Sequence, residues 1–280
     1  TGVEIAGAIA ELAHKTLVKD FKNIDTTEAQ ILLIEGMDRV LPPYAPDLSA
    51  KAQASLEGLG VAIQPNSFVT NIEGDDLTIR SNDTDTRVKA KTKIWSAGVR
   101  ASKMGRVLAD RAGAELDRAG RAIVSPKLSL LDYPDIYVVG DLAHFAHQGT
   151  RPLPGVAPGA MQEGQYVATA IRKQLAGKEV ADFTYVDFGG LAVIGQNKAV
   201  ADLGFIRFSG FLAWFVWIVA HIYYLIEFDN KLLVMVQWAW SYMTRGRGAR
   251  LITGEASLTP VKVKVPDGEA VPVLEEETVA

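Results

Sequence analysis

Thr1-Gly2-Val3-Glu4-Ile5-Ala6-Gly7-Ala8-Ile9-Ala10-Glu11-Leu12 opens the chain, and Gln30-Ile31-Leu32-Leu33-Ile34-Glu35-Gly36 follows it. In the first stretch Val3, Ile5, Ala6, Ile9, Ala10 and Leu12 fall at helical spacing, continued by Ala13 and Leu17, which predicts a helix over 2–18. The second is a short continuous apolar run closed by an acid, the pattern of a buried parallel strand. Together they make half of a dinucleotide-binding fingerprint. Gly2 takes the place of the last glycine of a G-x-G-x-x-G turn, where a missing side chain lets helix and strand pack closely. The helix reads as already under way at residue 1, so a strand carrying the first two glycines is expected upstream. The alternative is an ordinary amphipathic helix with a small residue at its start.

Glu35 strengthens the first reading. An acid at the end of this strand accepts hydrogen bonds from the hydroxyls of an adenosine ribose and repels a 2′-phosphate. Arg39 nearby softens that discrimination, and a solvated strand-end acid is the alternative. Pro42, Pro43 and Pro46 then break the chain, and Asp47 is expected to cap a helix running to Gly58 and Gly60. Val61 to Ile63, Phe68 to Ile72, Leu77 to Ile79 and Val88 to Ala90 read as short strands with polar turns between them. Lys93-Ile94-Trp95-Ser96-Ala97-Gly98 reads as a further strand ending in glycine. Helix and strands alternate as in a nucleotide-binding α/β domain.

A helical stretch to about Gly113 leads to Ala122-Ile123-Val124 and then to Asp135-Ile136-Tyr137-Val138-Val139-Gly140-Asp141, read as a buried strand ending in Gly-Asp. Such an ending sets a carboxylate at the carboxyl edge of a sheet, where ligands bind in α/β folds. The glycine admits close backbone approach, and the acid can hold a ligand hydroxyl. Two strand-end acids, Glu35 and Asp141, suggest two nucleotide sites. Residues 159–176 are predicted helical.

Phe208 to Ile226 contains no Lys, Arg, Asp or Glu and holds Trp214, Trp217, Tyr223 and Tyr224, with His221 among them. After Glu227, Asp229 and Lys231, a second apolar run from Leu232 to Met243 carries Trp238, Trp240 and Tyr242, and Arg245, Arg247 and Arg250 follow. Trp and Tyr suit the boundary between lipid and water, and arginines suit anionic headgroups. The first run is just long enough to span a bilayer. Its aromatics are spread along its length rather than confined to its ends, which favours lying on the surface over spanning near 208–226. The alternative is a buried dimerisation helix. The stretch from about Thr253, acidic at Glu275 to Glu277, reads as a polar tail.

A net charge of -4 argues against a nucleic-acid surface, which needs a basic face. With no cysteine, disulfides, Cys-ligated zinc and iron–sulfur clusters are excluded, and no metal site is expected.

Thr1-Gly2-Val3-Glu4, Ile34-Glu35, Leu41-Pro42, Trp95-Ser96-Ala97-Gly98 and Val139-Gly140-Asp141-Leu142-Ala143 occur in an order similar to that of the two-dinucleotide-fold flavoproteins. Within that superfamily the chain resembles the type II, single-subunit and non-proton-pumping NADH:quinone oxidoreductases over roughly residues 1–252. The resemblance implies an α/β architecture of two Rossmann-like dinucleotide-binding domains, the FAD domain being incomplete here, plus a C-terminal membrane-associating helical region. It implies an NADH domain at 1–115, the later part of the FAD domain at 116–180, a membrane-anchoring region at 181–252 and a tail at 253–280. The implied activity passes two electrons from NADH through FAD to a membrane quinone.

By the same resemblance Gly2, Glu4, Glu35, Ala97 and Gly98 line the NADH site, and Gly140, Asp141, Leu142 and Ala143 bind FAD. Glu4 is then expected near the nicotinamide–flavin junction, orienting NADH or relaying protons. The family has Ala-Gln-x-Ala-x-Gln where this chain has Ala157-Pro158-Gly159-Ala160-Met161-Gln162, so Pro158 replaces the first amide and Gln162 remains as a quinone-side candidate. An exposed helix residue is the alternative for Gln162. The implied location is the cytoplasmic face of a bacterial inner membrane, with a homodimer left open. Two rivals stand: another flavin-dependent NAD(P)H or quinone reductase of the superfamily, and a membrane-associated nucleotide-binding redox sensor or scaffold without turnover.

Overall fold

The structure is a computed structural model that describes residues 1–21, 23–149, 151–225 and 228–244. The chain divides into two compact units, Thr1–Met235 and Val236–Ala280. Of the second, the described part is a helical stretch over 236–244. Arg245, Arg247, Arg250, Glu227 and the tail expected from Thr253 lie outside the described residues.

Unit one begins with helix α1 (Gly2–Glu11), which buries Val3, Ala6, Gly7 and Ala10 on one face. The predicted helix over 2–18 is α-helical only that far. A π turn over Leu12–Thr16 and a 3-10 turn over Leu17–Lys19 take up the rest. Strand β1 (Ile31–Ile34) pairs in parallel with β2 (Val61–Gln64), Ile31 opposite Val61 and Ile34 opposite Gln64. Helix α2 (Pro46–Glu57) connects them. Asp47 is not its cap: Ala45 holds that position and Pro46 starts the helix, as a residue with fixed φ and no amide hydrogen does well. Asp47 lies in the first turn, where its charge still meets the positive end of the helix.

Strands β3 (Ser67–Glu73), β4 (Asp76–Ser81) and β5 (Thr84–Lys89) form an antiparallel meander; they take in the short strands expected over Phe68 to Ile72, Leu77 to Ile79 and Val88 to Ala90, while the run from Val61 to Ile63 is β2. The strand expected over Lys93–Gly98 is absent: the segment is irregular, pairs with no strand among the described residues, and leaves Trp95 67% exposed. Apolar composition does not make a strand without a neighbour to bond. Helix α3 (Met104–Ala112) ends on Gly113 at φ 63, the left-handed cap that glycine allows. Strand β6 (Ala122–Ile123) pairs in parallel with β7 (Ala143–His144). The buried strand expected over Asp135–Asp141 is likewise not a strand; Tyr137 makes one bridge to Ser129, and Val138 alone of its valines is buried.

Helix α4 (Ala157–Leu175) follows, then an antiparallel sheet of β8 (Gly190–Gly195), β9 (Lys198–Asp202) and β10 (Arg207–Ser209). This sheet is covered on both faces. Ala192, Ile194 and Val200 join Val3, Ala6, Ala10, Leu48 and Leu56 in one core. Ala199 and Ala201 pack with Ala213 of helix α5 (Phe211–Tyr224) in another. A separate core around Val124, Leu128, Phe145 and Phe183 underlies α4. Helix α6 is Phe228–Thr244.

The apolar run that begins at Phe208 is thus divided. Phe208 belongs to β10, Gly210 turns the chain at φ 80, and α5 has 14 residues. At helical rise it measures about 21 Å, against about 30 Å of hydrocarbon. No helix among the described residues is long and apolar enough to cross a membrane.

Candidate functional site

The segments carrying Gly2, Glu35 and Ser96 meet at the N-terminus of α1. A Cβ on Gly2 would lie 2.8 Å from Ser96 Oγ and 3.7 Å from a methyl of Leu33 in β1. A small residue there keeps the start of α1 clear of the Ser96 hydroxyl, with β1 at ordinary contact distance, a packing compatible with the last glycine of the fingerprint. Glu35 follows β1, and one of its carboxylate oxygens accepts from the Met37 amide at 2.9 Å, leaving the second oxygen for a ligand hydroxyl. Arg39, expected to soften that discrimination, lies four residues beyond Glu35. Its guanidinium donates to Asp38 at 3.4 Å and to the Pro42 carbonyl at 3.2 Å. Ala97 accepts from the Trp95 indole at 2.7 Å, and Gly98 sits at φ 76 with open space around it.

Glu4 stands in the first turn of α1. Its nearest electrostatic consequence went unread in the sequence: burial first, then the charges of Glu4 and Asp202, push the Tyr44 phenol up to about 12. Tyr44 packs its hydroxyl against Gly190, where a Cβ would come within 2.8 Å.

Gly140, Asp141 and Ala143 line a cleft of about 190 Å³ together with Val99, Pro154 and Glu163. Gly140 adopts φ 69 and begins a 3-10 turn through Leu142, which displays Asp141 at the surface. Leu142 turns the other way, into the core beneath α4. Opposite Asp141 stands Gly155, where a Cβ would lie 3.0 Å from the carboxylate. The cleft lies at the N-terminus of α4, whose cap Val156 offers no side-chain bond.

Three charged groups at or beneath this cleft were not read from the sequence. Glu163, on α4, is 4% exposed and accepts a 2.5 Å hydrogen bond from the Gly140 amide. Burial raises its carboxyl above the ordinary 4.5, the Gly140 bond opposes this, and the neighbouring Asp141 charge adds to it. Arg121 lines the cleft, held by Asp117 at 2.7 Å, and the same Asp117 oxygen lies 2.8 Å from Nδ1 of His144. Burial of Asp117 works toward protonation, but bonds from His144 and from the Arg121 amide and guanidinium prevail and hold its carboxyl well below the carboxylate range.

Gln162 is not in the cleft lining. Its amide donates to the Val186 carbonyl and accepts from the Val186 amide, both at 2.9 Å. Gln148 grips Tyr185 in the same way at 2.7 Å, so two side-chain amides fix the 185–186 segment as a strand partner would.

The donor set fits part of a flavin dinucleotide. Asp141 has no hydrogen-bond donor from the described residues, glycines at 140 and 155 leave room for a ligand against the backbone, and Arg121 lines the cleft while paired with Asp117. The volume holds part of such a ligand rather than all of it. Residues 2, 35 and 96–98 fit the ribose and pyrophosphate end of a second dinucleotide. A model of the pyridine nucleotide-disulphide oxidoreductase family matches residues 1–164, more than half of the chain.

The chain belongs to that family. Beyond the region that makes it a pyridine nucleotide-disulphide oxidoreductase, residues 188–247 match a model of the NDH2 C-terminal domain. Among members of the family, it is 42% identical over 268 residues to a type II NADH:quinone oxidoreductase, Ndh, of Mycobacterium tuberculosis, with 94% of this chain and 57% of that protein covered. A second from the same organism, NdhA, is 38% identical over 261 residues, with 91% and 54% covered. The chain therefore spans a little over half the length of these relatives. In fold it is similar to NDH2 of Plasmodium falciparum, solved with NADH, at a TM-score of 0.74 and 16% identity, covering 86% of this chain and 63% of that one.

Proposed function

We propose that this chain is the NADH-binding and membrane-facing part of a type II NADH:quinone oxidoreductase, which passes two electrons from NADH through FAD to a membrane quinone without pumping protons. The NDH2 C-terminal domain at 188–247 carries this reading. Bound FAD supplies the hydride and electron chemistry. The rest falls to the chain's own residues. Gly2 lets α1 pack closely, with its N-terminus toward the NADH pyrophosphate, and Glu35 takes the adenosine ribose. Ala97 and Gly98 flank the dinucleotide, while Glu4 orients the nicotinamide end or relays a proton there. Gly140, Asp141 and Ala143 take the flavin, Leu142 supports their turn from the core, and Gln162 acts toward the quinone by fixing the 185–186 segment. The boundaries 1–115, 116–180 and 181–252 serve this division of labour, and within unit one β8–β10 pack against α1 and α2. The protein attaches monotopically to a bilayer surface, at the cytoplasmic face of a bacterial inner membrane.

The direct test uses the native full-length protein. NADH should bleach the bound flavin, and a quinone should restore its colour; a flavin indifferent to NADH would leave a nucleotide-binding sensor or scaffold instead. Two substitutions examine the sites. Asp141→Ala should weaken FAD retention by about ten- to a hundredfold, since it removes a hydrogen bond to a charged group. Flavin held as tightly as in the wild type ends the reading of this cleft. Glu35→Gln should narrow the preference for NADH over NADPH by removing repulsion of the 2′-phosphate. An unchanged ratio of kcat/KM for the two cofactors removes Glu35 from the site.

A further inference from the structure

Glu163 is a buried carboxyl lining the cleft, and neither the nucleotide roles nor the quinone role uses it. Its side chain comes from α4 and bonds across 23 positions of sequence to the amide of Gly140. That amide belongs to the first residue of the turn that displays Asp141, and Gly140 stands at a positive φ of 69, one of several conformations open to a glycine, so fixing the turn there falls to contacts such as this bond. The charged or titratable groups lining the cleft with Glu163 are Asp141, on the turn, and Arg121. Arg121 is already committed to Asp117. The lining residues of α4 and of the segment before it, such as Pro154, Val156 and Ala160, are apolar.

We propose that Glu163 is the positioning residue of the flavin site, a proton-dependent latch from α4 that holds the Gly140 turn and sets the Asp141 carboxylate for its ligand. The inference rests on the flavin reading of the cleft. The Gly140 bond favours the ionised carboxyl, but it is already made without a ligand, so it acts on both states and the sign is set by what the ligand changes. A ligand that fills the cleft withdraws Glu163 further from water beside a second carboxylate, so the bound state holds the Glu163 proton more firmly than the free state does. Binding then takes up a proton, and by linkage the dissociation constant rises as pH rises through the Glu163 titration. The direction in which burial already moves this carboxyl is the same.

The experiment measures the FAD dissociation constant of the native full-length protein from about pH 5 to pH 8, above the ordinary carboxylate range. Wild type, Glu163→Gln, Glu163→Leu and Asp141→Ala are compared, each checked for folding by circular dichroism. Wild type should bind several-fold more weakly at the upper pH. Glu163→Gln keeps an acceptor for the Gly140 amide and should bind within about threefold of wild type at the lower pH, with the slope gone. Glu163→Leu should bind about tenfold more weakly throughout, having lost the bond. A wild-type slope retained in Glu163→Gln overturns the inference, and so does wild-type affinity in a folded Glu163→Leu. Should Glu163→Leu fail to fold, the slope of Glu163→Gln decides alone. The two readings separate cleanly. If Asp141→Ala binds FAD normally, the flavin reading of the cleft fails; if it binds weakly while Glu163→Gln keeps the slope, only the latch fails.

Discussion

Replacing Gly7 with alanine is expected to destabilise the protein by about 3 kcal/mol, the upper end of what overpacking costs. The added Cβ would lie 1.7 Å from the carbonyl oxygen of Ile194 and 2.9 Å from its carbon. These are backbone atoms of β8, which is bonded to β9, so no side-chain rotation relieves the clash. Alanine's better helix propensity, about 1 kcal/mol, acts in the opposite direction and is too small to win. Gly164 of α4 supplies the control: a Cβ there meets nothing within 4 Å. Gly164→Ala should therefore stabilise by up to about 1 kcal/mol. Urea unfolding of both variants gives the comparison. Equal midpoints for Gly7→Ala and wild type would show that α1 does not rest on β8.

That contact also marks where the sequence stops being readable. Helical periodicity identified α1 because Val3, Ala6 and Ala10 recur on one face. Gly7 lies on the same face but looks like filler, since its partner Ile194 is far along the chain. The β8–β10 sheet escaped for a related reason. A half-buried strand announces itself by alternation of apolar and polar residues. Here both faces are covered: Ile194 and Val200 look toward α1 and α2, Ala199 and Ala201 toward α5. The alternation is erased, and a sheet that belongs to the body of unit one reads as the approach to an anchor. Lys93–Gly98 and Asp135–Asp141 erred in the other direction. Their β-branched and aromatic residues have strand propensity, but a ladder needs a partner, and no described residue supplies one beyond the Ser129 bridge.

The site divides along the same line. Gly140 and Asp141 were legible because glycine and acid are adjacent and follow an apolar run. Glu35 was legible because β1 ends there. Glu163, Arg121 and His144 were not, because each acquires its meaning from a residue remote in sequence. Glu163 on its helix reads as one more solvated charge until the Gly140 amide is seen against it. Asp117 lies in a polar turn that nothing local distinguishes, yet it joins Arg121 to His144.

The other large effect is expected at α5. Phe211, Phe215, Val219 and Tyr223 recur at every fourth position and are all exposed, while Ala213 is buried against Ala199 and Ala201. One face of the helix is thus fixed to the sheet, and the other offers a stripe of large apolar side chains, more than a monomer in water ordinarily leaves uncovered. Deleting everything from Phe205 onward would be a poor probe, because it strips β10 and α5 from β9 and exposes a core. Four substitutions, Phe211→Ser, Phe215→Ser, Val219→Ser and Tyr223→Ser, remove the stripe and leave Ala213 in place. At about 1 kcal/mol for each half-exposed side chain that enters lipid, the loss is about 4 kcal/mol, close to a thousandfold in liposome partitioning. Turnover with a long-tailed quinone dissolved in the bilayer should fall with it. Reduction of a water-soluble acceptor by NADH should persist, since Glu35, Asp141 and the cleft are untouched. A variant that still sediments with liposomes places the anchor elsewhere in the chain. If instead the wild type ignores liposomes and sediments as a dimer while the variant sediments as a monomer, the stripe is a subunit interface and the membrane reading fails.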